Sequence, residues 1–441
     1  MDKISKTQIF KNKNFSLLFA GVLVSNIAHV LFNFAISLYV LRIANEAYGV
    51  SRAALIQALY LATAGITLLI LMPLGGVLAD KFNKVRTMYM TDYIRGVTIG
   101  VVALVMLFTQ EVSIILYVLF AMNLILSINS ALFNPASQSL LRFIVKDEEL
   151  QQASGYMQGS QNLQNIIGLI LGGIVFAVFG IFWIFVINAL GYVISAISEM
   201  FISYDHKSHA NDHEKMSFSL VFTDIKVGVK YLYNEKAIFA TILMALGINF
   251  FFSPLFSNAI PYFIEFGLGT EASYLFMSFL SIETWYSIIS VAFSLSSIIM
   301  ALYLSSQKTK ERYGKQLKGA ITLAITMTTL MASVMILYYM KMIDINLALI
   351  GLFVTIFMTG FMTMAFNIPL NMIIQRNVDP RQLGKVGSVI SVLSQALIPL
   401  GALLAGIIIS QLSIIYLYVF SVVGSWLVVI WYINNKPSST L

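Results

Sequence analysis

The sequence contains no cysteine, which excludes disulfides, thiolate metal sites and cysteine nucleophiles but names no redox compartment. Charge is nearly as scarce. Asp, Glu, Lys and Arg make up 11% of the 441 residues, against roughly 25% in soluble domains, which rules out a water-soluble fold. HExxH, a Walker loop and a nucleophile elbow are also missing, which argues against metalloprotease, ATPase and hydrolase chemistry. Neither enzymatic activity nor a cofactor is therefore expected.

What is present is apolar: 59% hydrophobic residues and a mean hydropathy of +0.84. Twelve helices of about 20 residues need only about 240 residues, so one polytopic membrane unit fits the length better than several soluble domains. The apolar runs place spans near 15–41, 53–79, 87–109, 114–140, 156–179, 182–203, 237–264, 285–305, 317–339, 347–374, 388–410 and 414–433. The first run is uncharged from Asn14 to Leu41, too long for a signal-peptide core of about 7–15 residues, and reads as a retained span. Read as one helix, 272–306 would be roughly 52 Å long, so its first third is expected outside the membrane, ending near Glu283.

In a membrane chain the net charge of +7 speaks of sidedness rather than of nucleic acid. With a cytoplasmic N-terminus and twelve crossings, all but four of the 27 Lys and Arg fall inside, the exceptions being Arg42, Arg52, Arg95 and Lys341. Both termini are therefore expected to be cytoplasmic. The connection from Asp205 to Lys236 divides six spans from six, giving bundles over 1–204 and 237–441 and a linker over 205–236. Within the linker, Phe218, Val221, Phe222, Ile225, Val229 and Leu232 recur at helical spacing, as in a helix lying in the membrane interface or packed beneath the bundle. His206, His209 and His213 would share one face of a helix and could hold zinc, but their surroundings read as a solvated linker, and no metal site is expected.

The halves repeat. Phe133-Asn134 recurs as Phe366-Asn367, Leu150 as Leu383, Gly168 as Gly401 and Gly173 as Gly406, all 233 positions apart. Asp80-Lys81-Phe82-Asn83-Lys84 recurs 231 positions later as Glu311-Arg312-Tyr313-Gly314-Lys315. Duplicated six-span halves suit a transporter, whose central site can be exposed to each side in turn.

Gly76-Val77-Leu78-Ala79-Asp80-Lys81-Phe82-Asn83-Lys84-Val85-Arg86 resembles the G-x-L-a-D-[RK]-x-G-[RK]-[RK] signature of the major facilitator superfamily, between spans two and three. Asn83 replaces a glycine, which a residue tolerant of the left-handed turn permits, and Val85 replaces a base that Arg86 could supply. The resemblance implies an all-α membrane protein of twelve helices in two pseudo-symmetric six-helix bundles. It also implies that this loop is a conformational latch. A positive-inside loop would explain the bases but not Gly76 and Asp80 at this spacing. Asp92 and Arg95, an intramembrane i,i+3 pair, and Ala131-Leu132-Phe133-Asn134-Pro135 resemble the drug- and siderophore-exporting branch. The pair reads as a structural and switching element coupled to the loop, or as a proton carrier. Gly168-Leu169-Ile170-Leu171-Gly172-Gly173 resembles the exporters' G-P-x-x-G-G antiporter motif, and Gly168-x-x-x-Gly172 would equally serve close helix packing.

Polar residues within the spans are the cavity candidates. Asn26, His29 and Asn33 form one stripe in the first span, and Gln158, Gln161, Asn162 and Asn165 lie on the fifth. Asn249, Asn258, Asn367 and Gln395 are the counterparts in the second half. All are uncharged apart from a titratable His29, which suits an amphiphilic small molecule better than sugars or phosphates. The resemblance implies a monomer in the bilayer of a bacterial cell membrane, exporting such a substrate in exchange for protons. Import, movement of a lipid-like substrate and a non-transporting scaffold on the same fold are the alternatives.

Overall fold

The computed structural model describes residues 9–203, 226, 229–268, 280–307, 313–378 and 383–435. Among them, 12 helices are long and apolar enough to cross a membrane, and no strand occurs. In chain order they are α1 (Lys13–Tyr48), α2 (Val50–Lys81), α3 (Lys84–Phe108), α4 (Val112–Ile144), α5 (Asp147–Phe179) and α6 (Ile181–Met200). There follow α7 (Lys236–Gly267), α8 (Ile282–Ser305), α9 (Gly314–Tyr339), α10 (Ile345–Asn377), α11 (Leu383–Gln395, then Ile398–Gln411) and α12 (Ile414–Asn434). Helices are what apolar sequence must form in lipid, where only the chain itself can satisfy its amides.

Two tight joints depend on glycine. Gly49 between α1 and α2 and Gly180 between α5 and α6 both sit at φ 79°, a left-handed conformation that side-chain-bearing residues avoid. Two irregularities interrupt spans that the sequence presents as continuous. The eleventh breaks at Ala396–Leu397 because Pro399, near the start of its second segment, has no N–H to offer the Gln395 carbonyl. The seventh ends in two π turns, Leu255–Ala259 and Phe263–Gly267, flanking Ile260–Tyr262.

The chain forms two compact units: Met1–Tyr39 with Thr63–Val221, and Val40–Ala62 with Phe222–Leu441. Helices α1 and α2 thus each contribute to both. In the first unit α3 packs on α4 and α6, and in the second α9 packs on α10 and α12, the same relation one repeat later. Phe15, Leu18, Met88, Phe133 and Leu140 are buried in the first core, and Ile242, Met244, Leu317, Ile373 and Tyr432 in the second. Leu232, from the end of the linker, is fully buried in the second core with Val229 packed beside it. Phe218, Val221, Phe222, Ile225, His206, His209 and His213 lie outside the described residues.

Small residues permit the closest helix approaches. A Cβ on Gly168 would lie 2.7 Å from Cβ of Val30, and one on Gly172 would lie 3.0 Å from the Phe34 ring, so α5 rests directly on α1. The repeat partner Gly401 does the same for α11 on α7, where a Cβ would lie 2.5 Å from the Phe250 carbonyl oxygen. Pro254 leaves that carbonyl without its helical donor, so the contact sits at a weak point of α7.

Candidate functional site

One turn apart on α3, Asp92 and Arg95 face the interior of the first unit. Arg95 Nη1 donates to Asp92 Oδ1 at 2.8 Å, with side chains 5% and 0% exposed. Arg95 Nη2 donates to Ser130 Oγ on α4 at 3.0 Å. The guanidinium carbon lies 4.8 Å from the centroid of the Phe133 ring and 5.3 Å from that of Tyr192. Buried charge is tolerable only when paired and solvated by such dipoles and π faces.

From Tyr192 the polar contacts run on to α1. Its hydroxyl is 2.9 Å from His29 Nδ1, and His29 Nε2 is 2.9 Å from Asn33 Nδ2. Donation from the Asn33 amide to Nε2 places the ring hydrogen on Nδ1, directed at the tyrosine oxygen. Asn33 itself is exposed. A continuous chain therefore joins the buried ion pair to an accessible side chain.

A buried acid on α6 completes the cluster. Glu199 is fully buried, and Ser195 Oγ donates to its Oε1 at 3.4 Å. Asp92 Oδ2, Arg95 Nε and Glu199 Oε2 have no hydrogen-bond partner, nor does either polar atom of Asn188, buried on the same helix as Glu199. The sequence signal for Glu199 is a lone acid within twenty otherwise uncharged residues, and its place near a span end is equally that of a headgroup-level residue.

The remaining candidates are spread over both units. Asn26 Nδ2 donates to Gln164 Oε1 at 3.1 Å, and Gln164 Nε2 to Ser160 Oγ at 3.2 Å. Gln158, Gln161 and Asn165 are exposed along α5. In the second unit Asn367 and Gln395 are exposed, and half-buried Asn249 donates to the Ser394 carbonyl at 2.7 Å. Asn258, in the first π turn, is fully buried; its Oδ1 accepts from Ser257 at 2.8 Å and its Nδ2 has no partner. Among the loop residues, Lys84 is buried with its ammonium 5.5 Å from the Phe143 centroid, and Arg86 is exposed. Asn83 does not use a left-handed turn: at φ −61° and ψ 114° it caps α3, accepting from the Arg86 amide at 3.0 Å. In the repeat loop, Gly314 is buried at the start of α9 and Lys315 is exposed. Gly76, the side chains of Asp80, Lys81 and Asn162, and Glu311 and Arg312 lie outside the described residues.

A second ionic cluster belongs to the second unit. Arg42 Nε and Nη2 donate to the Glu265 carboxylate at 2.8 and 3.0 Å, and Nη2 also reaches Glu283 at 2.9 Å. The sequence showed Arg42 only as a cation outside the inside set and Glu283 as the start of a span, because nothing in chain order brings 42, 265 and 283 together.

The model of the Major Facilitator Superfamily matches residues 18–401. The chain belongs to this family. Its twelve apolar helices are those of a multi-pass membrane protein, and the relatives it matches are transporters. Among curated relatives, an MFS-type transporter of Bacillus subtilis (strain 168), YfiS, is 28% identical over 195 residues, 44% of each chain. Macrolide efflux protein A of Streptococcus pyogenes is 25% identical over 242 residues, 55% of this chain and 56% of its own. The matched stretch thus spans about half the length of these relatives. Solved transporters share the fold over nearly the whole chain. A D-xylose–proton symporter superposes with a TM-score of 0.70 at 12% identity, over 99% of this chain and 100% of its own. The nucleoside transporter NupG gives 0.69 at 15% identity, over 95% and 100%.

Proposed function

We propose that this transporter exports amphiphilic small molecules, macrolides among them, in exchange for protons by alternating access in a bacterial cell membrane. The observation that carries the reading is the buried Asp92–Arg95 pair continued through Tyr192 and His29 to exposed Asn33. Groups that can bind or relay a proton are thereby strung between a water-poor core and an accessible surface, as coupling to a proton gradient requires. The macrolide efflux relatives support the direction and the substrate class, and uncharged Gln158, Gln161 and Asn165 offer polar anchors without demanding an ionic ligand. On this reading the protein works as a monomer with both termini cytoplasmic, and the Asp80 loop with its Glu311 repeat acts as the switching latch.

The test uses proteoliposomes of the full chain with erythromycin as probe. Antiport predicts uphill movement of the probe against the proton flow, collapsing when an ionophore dissipates the pH gradient. Movement with the protons would identify an importer. No gradient-dependent movement of erythromycin or of a fluorescent lipid analogue would leave the scaffold reading.

A further inference from the structure

We propose that Glu199 carries the coupling proton, beside the Asp92–Arg95 pair and with the Ser195 hydroxyl on its carboxyl group. This deepens the antiport reading and rests on it. Two acids and one base share the core of the first unit, and all three are buried. The hydrogen bonds of the Arg95 guanidinium go to Asp92 and Ser130. Ser195 Oγ donates to Glu199 Oε1 at 3.4 Å, and Glu199 Oε2 has no partner. With both carboxylates ionised, two buried negative charges would share one buried base, which Asp92 already holds. A proton on Glu199 Oε2 leaves the Ser195 and Arg95 hydrogen bonds intact, and the formal charge of these three groups closes to zero, the condition for stability out of water.

Among the described residues, the elements around Glu199 bring it no other counter-ion. On α3 only Asp92 and Arg95 face Glu199, and α6 carries no other charged residue. Between Asn14 and Leu41, α1 has no charged residue, and its His29 touches the cluster through Tyr192. Beyond Glu149, α5 has none. The covering element is α1: a Cβ on Gly21 would lie 3.2 Å from Ser195 Oγ and 3.6 Å from Glu199 Cγ, and Ser198 Oγ donates to the Leu17 carbonyl at 2.9 Å. Displacing α1 would admit water, which takes the proton as the Glu199 O–H bond breaks. Loading reverses the step, and no oxidant or other reactant is consumed.

Two measurements on the full chain test this. Infrared difference spectra of the purified protein in lipid nanodiscs, between neutral and alkaline buffer, report the carbonyl stretch of any carboxylic acid still protonated where exposed carboxylates are ionised. The wild type should show this band and lose it on alkalinisation. Glu199→Gln, an isostere of the protonated acid, should lack it, whereas Asp92→Asn should keep a protonated-acid band. A band that survives in Glu199→Gln overturns the proposal. Ser195→Ala removes the hydroxyl on Glu199 Oε1 and should shift the band or the pH at which it vanishes, and an unchanged band overturns the assignment to Glu199 even if Glu199→Gln does not fold. In proteoliposomes, the uphill movement of labelled erythromycin by Glu199→Gln should fall to the passive level; retained uphill movement overturns the proposal. A wild type indifferent to the pH gradient overturns the antiport role, and the infrared band then decides separately where the proton sits.

Discussion

The two units are built on one repeat, yet among the described residues only the first buries charge in its centre. Helix α9 stands where α3 stands in the other half and carries no charged residue beyond Lys318. The residue 233 positions after Glu199 is Tyr432, fully buried and 3.1 Å from Thr241 Oγ1. The ionic cluster of the second unit lies instead near helix ends, with Arg42 31% exposed. Since α9, α10 and α12 pack without the Asp92, Arg95 and Glu199 set, that set is not needed to hold a bundle of this kind together. Its presence in one half alone points to work rather than architecture.

The sharpest way to break this comparison is to remove one charge and then its partner. Arg95→Leu leaves acids buried without a base and should destabilise by about 3–5 kcal/mol, read as a loss of monodisperse protein on heating in detergent. Combining Arg95→Leu with Asp92→Leu should recover most of that loss while abolishing uphill transport. A double variant as unstable as the single one would show the charges to be architectural.

Next in size are the repeat glycines. Gly401→Ala, facing the Phe250 carbonyl, and Gly168→Ala, facing the Val30 side chain, should each cost about 1–3 kcal/mol by overpacking. The former should lose more, because backbone yields less than a side chain. Equal melting points would mean that α7 and α1 accommodate the methyl alike.

Asn83→Ala removes a helix cap and should cost about 1 kcal/mol, whereas Asn83→Ser should retain stability. Both belong in the same melting assay. The smallest effect is expected from Arg42→Gln. Its ion pairs are partly open to solvent, so the loss should stay below about 1 kcal/mol and shrink further in high salt. A loss rivalling that of Arg95→Leu would place the two clusters on the same footing.

Much of this was legible in the sequence. Twelve apolar runs, the duplicated landmarks and the Asp80 loop are local patterns, written in hydropathy period and short spacings, and they led to the fold and the family. Asp92 and Arg95 announced themselves because two charges in one span demand each other. Glu199 did not, since its partners lie on another helix more than a hundred residues earlier. The Arg42 cluster was hidden for the same reason, being assembled from three distant stretches. Pro399 was visible, but whether a proline bends a helix or divides it depends on packing around the freed carbonyl. Asn83 showed its residue type but not its dihedral angles.

The two π turns of α7 store length. Each holds one residue more than the ordinary helical repeat, so it is a spare link wound into the coil. Letting Leu255–Ala259 tighten to the regular pitch would turn everything beyond it by about 100°. Glu265 would then swing away from Arg42 through a twist confined to one strand of the chain, with no helix having to tilt.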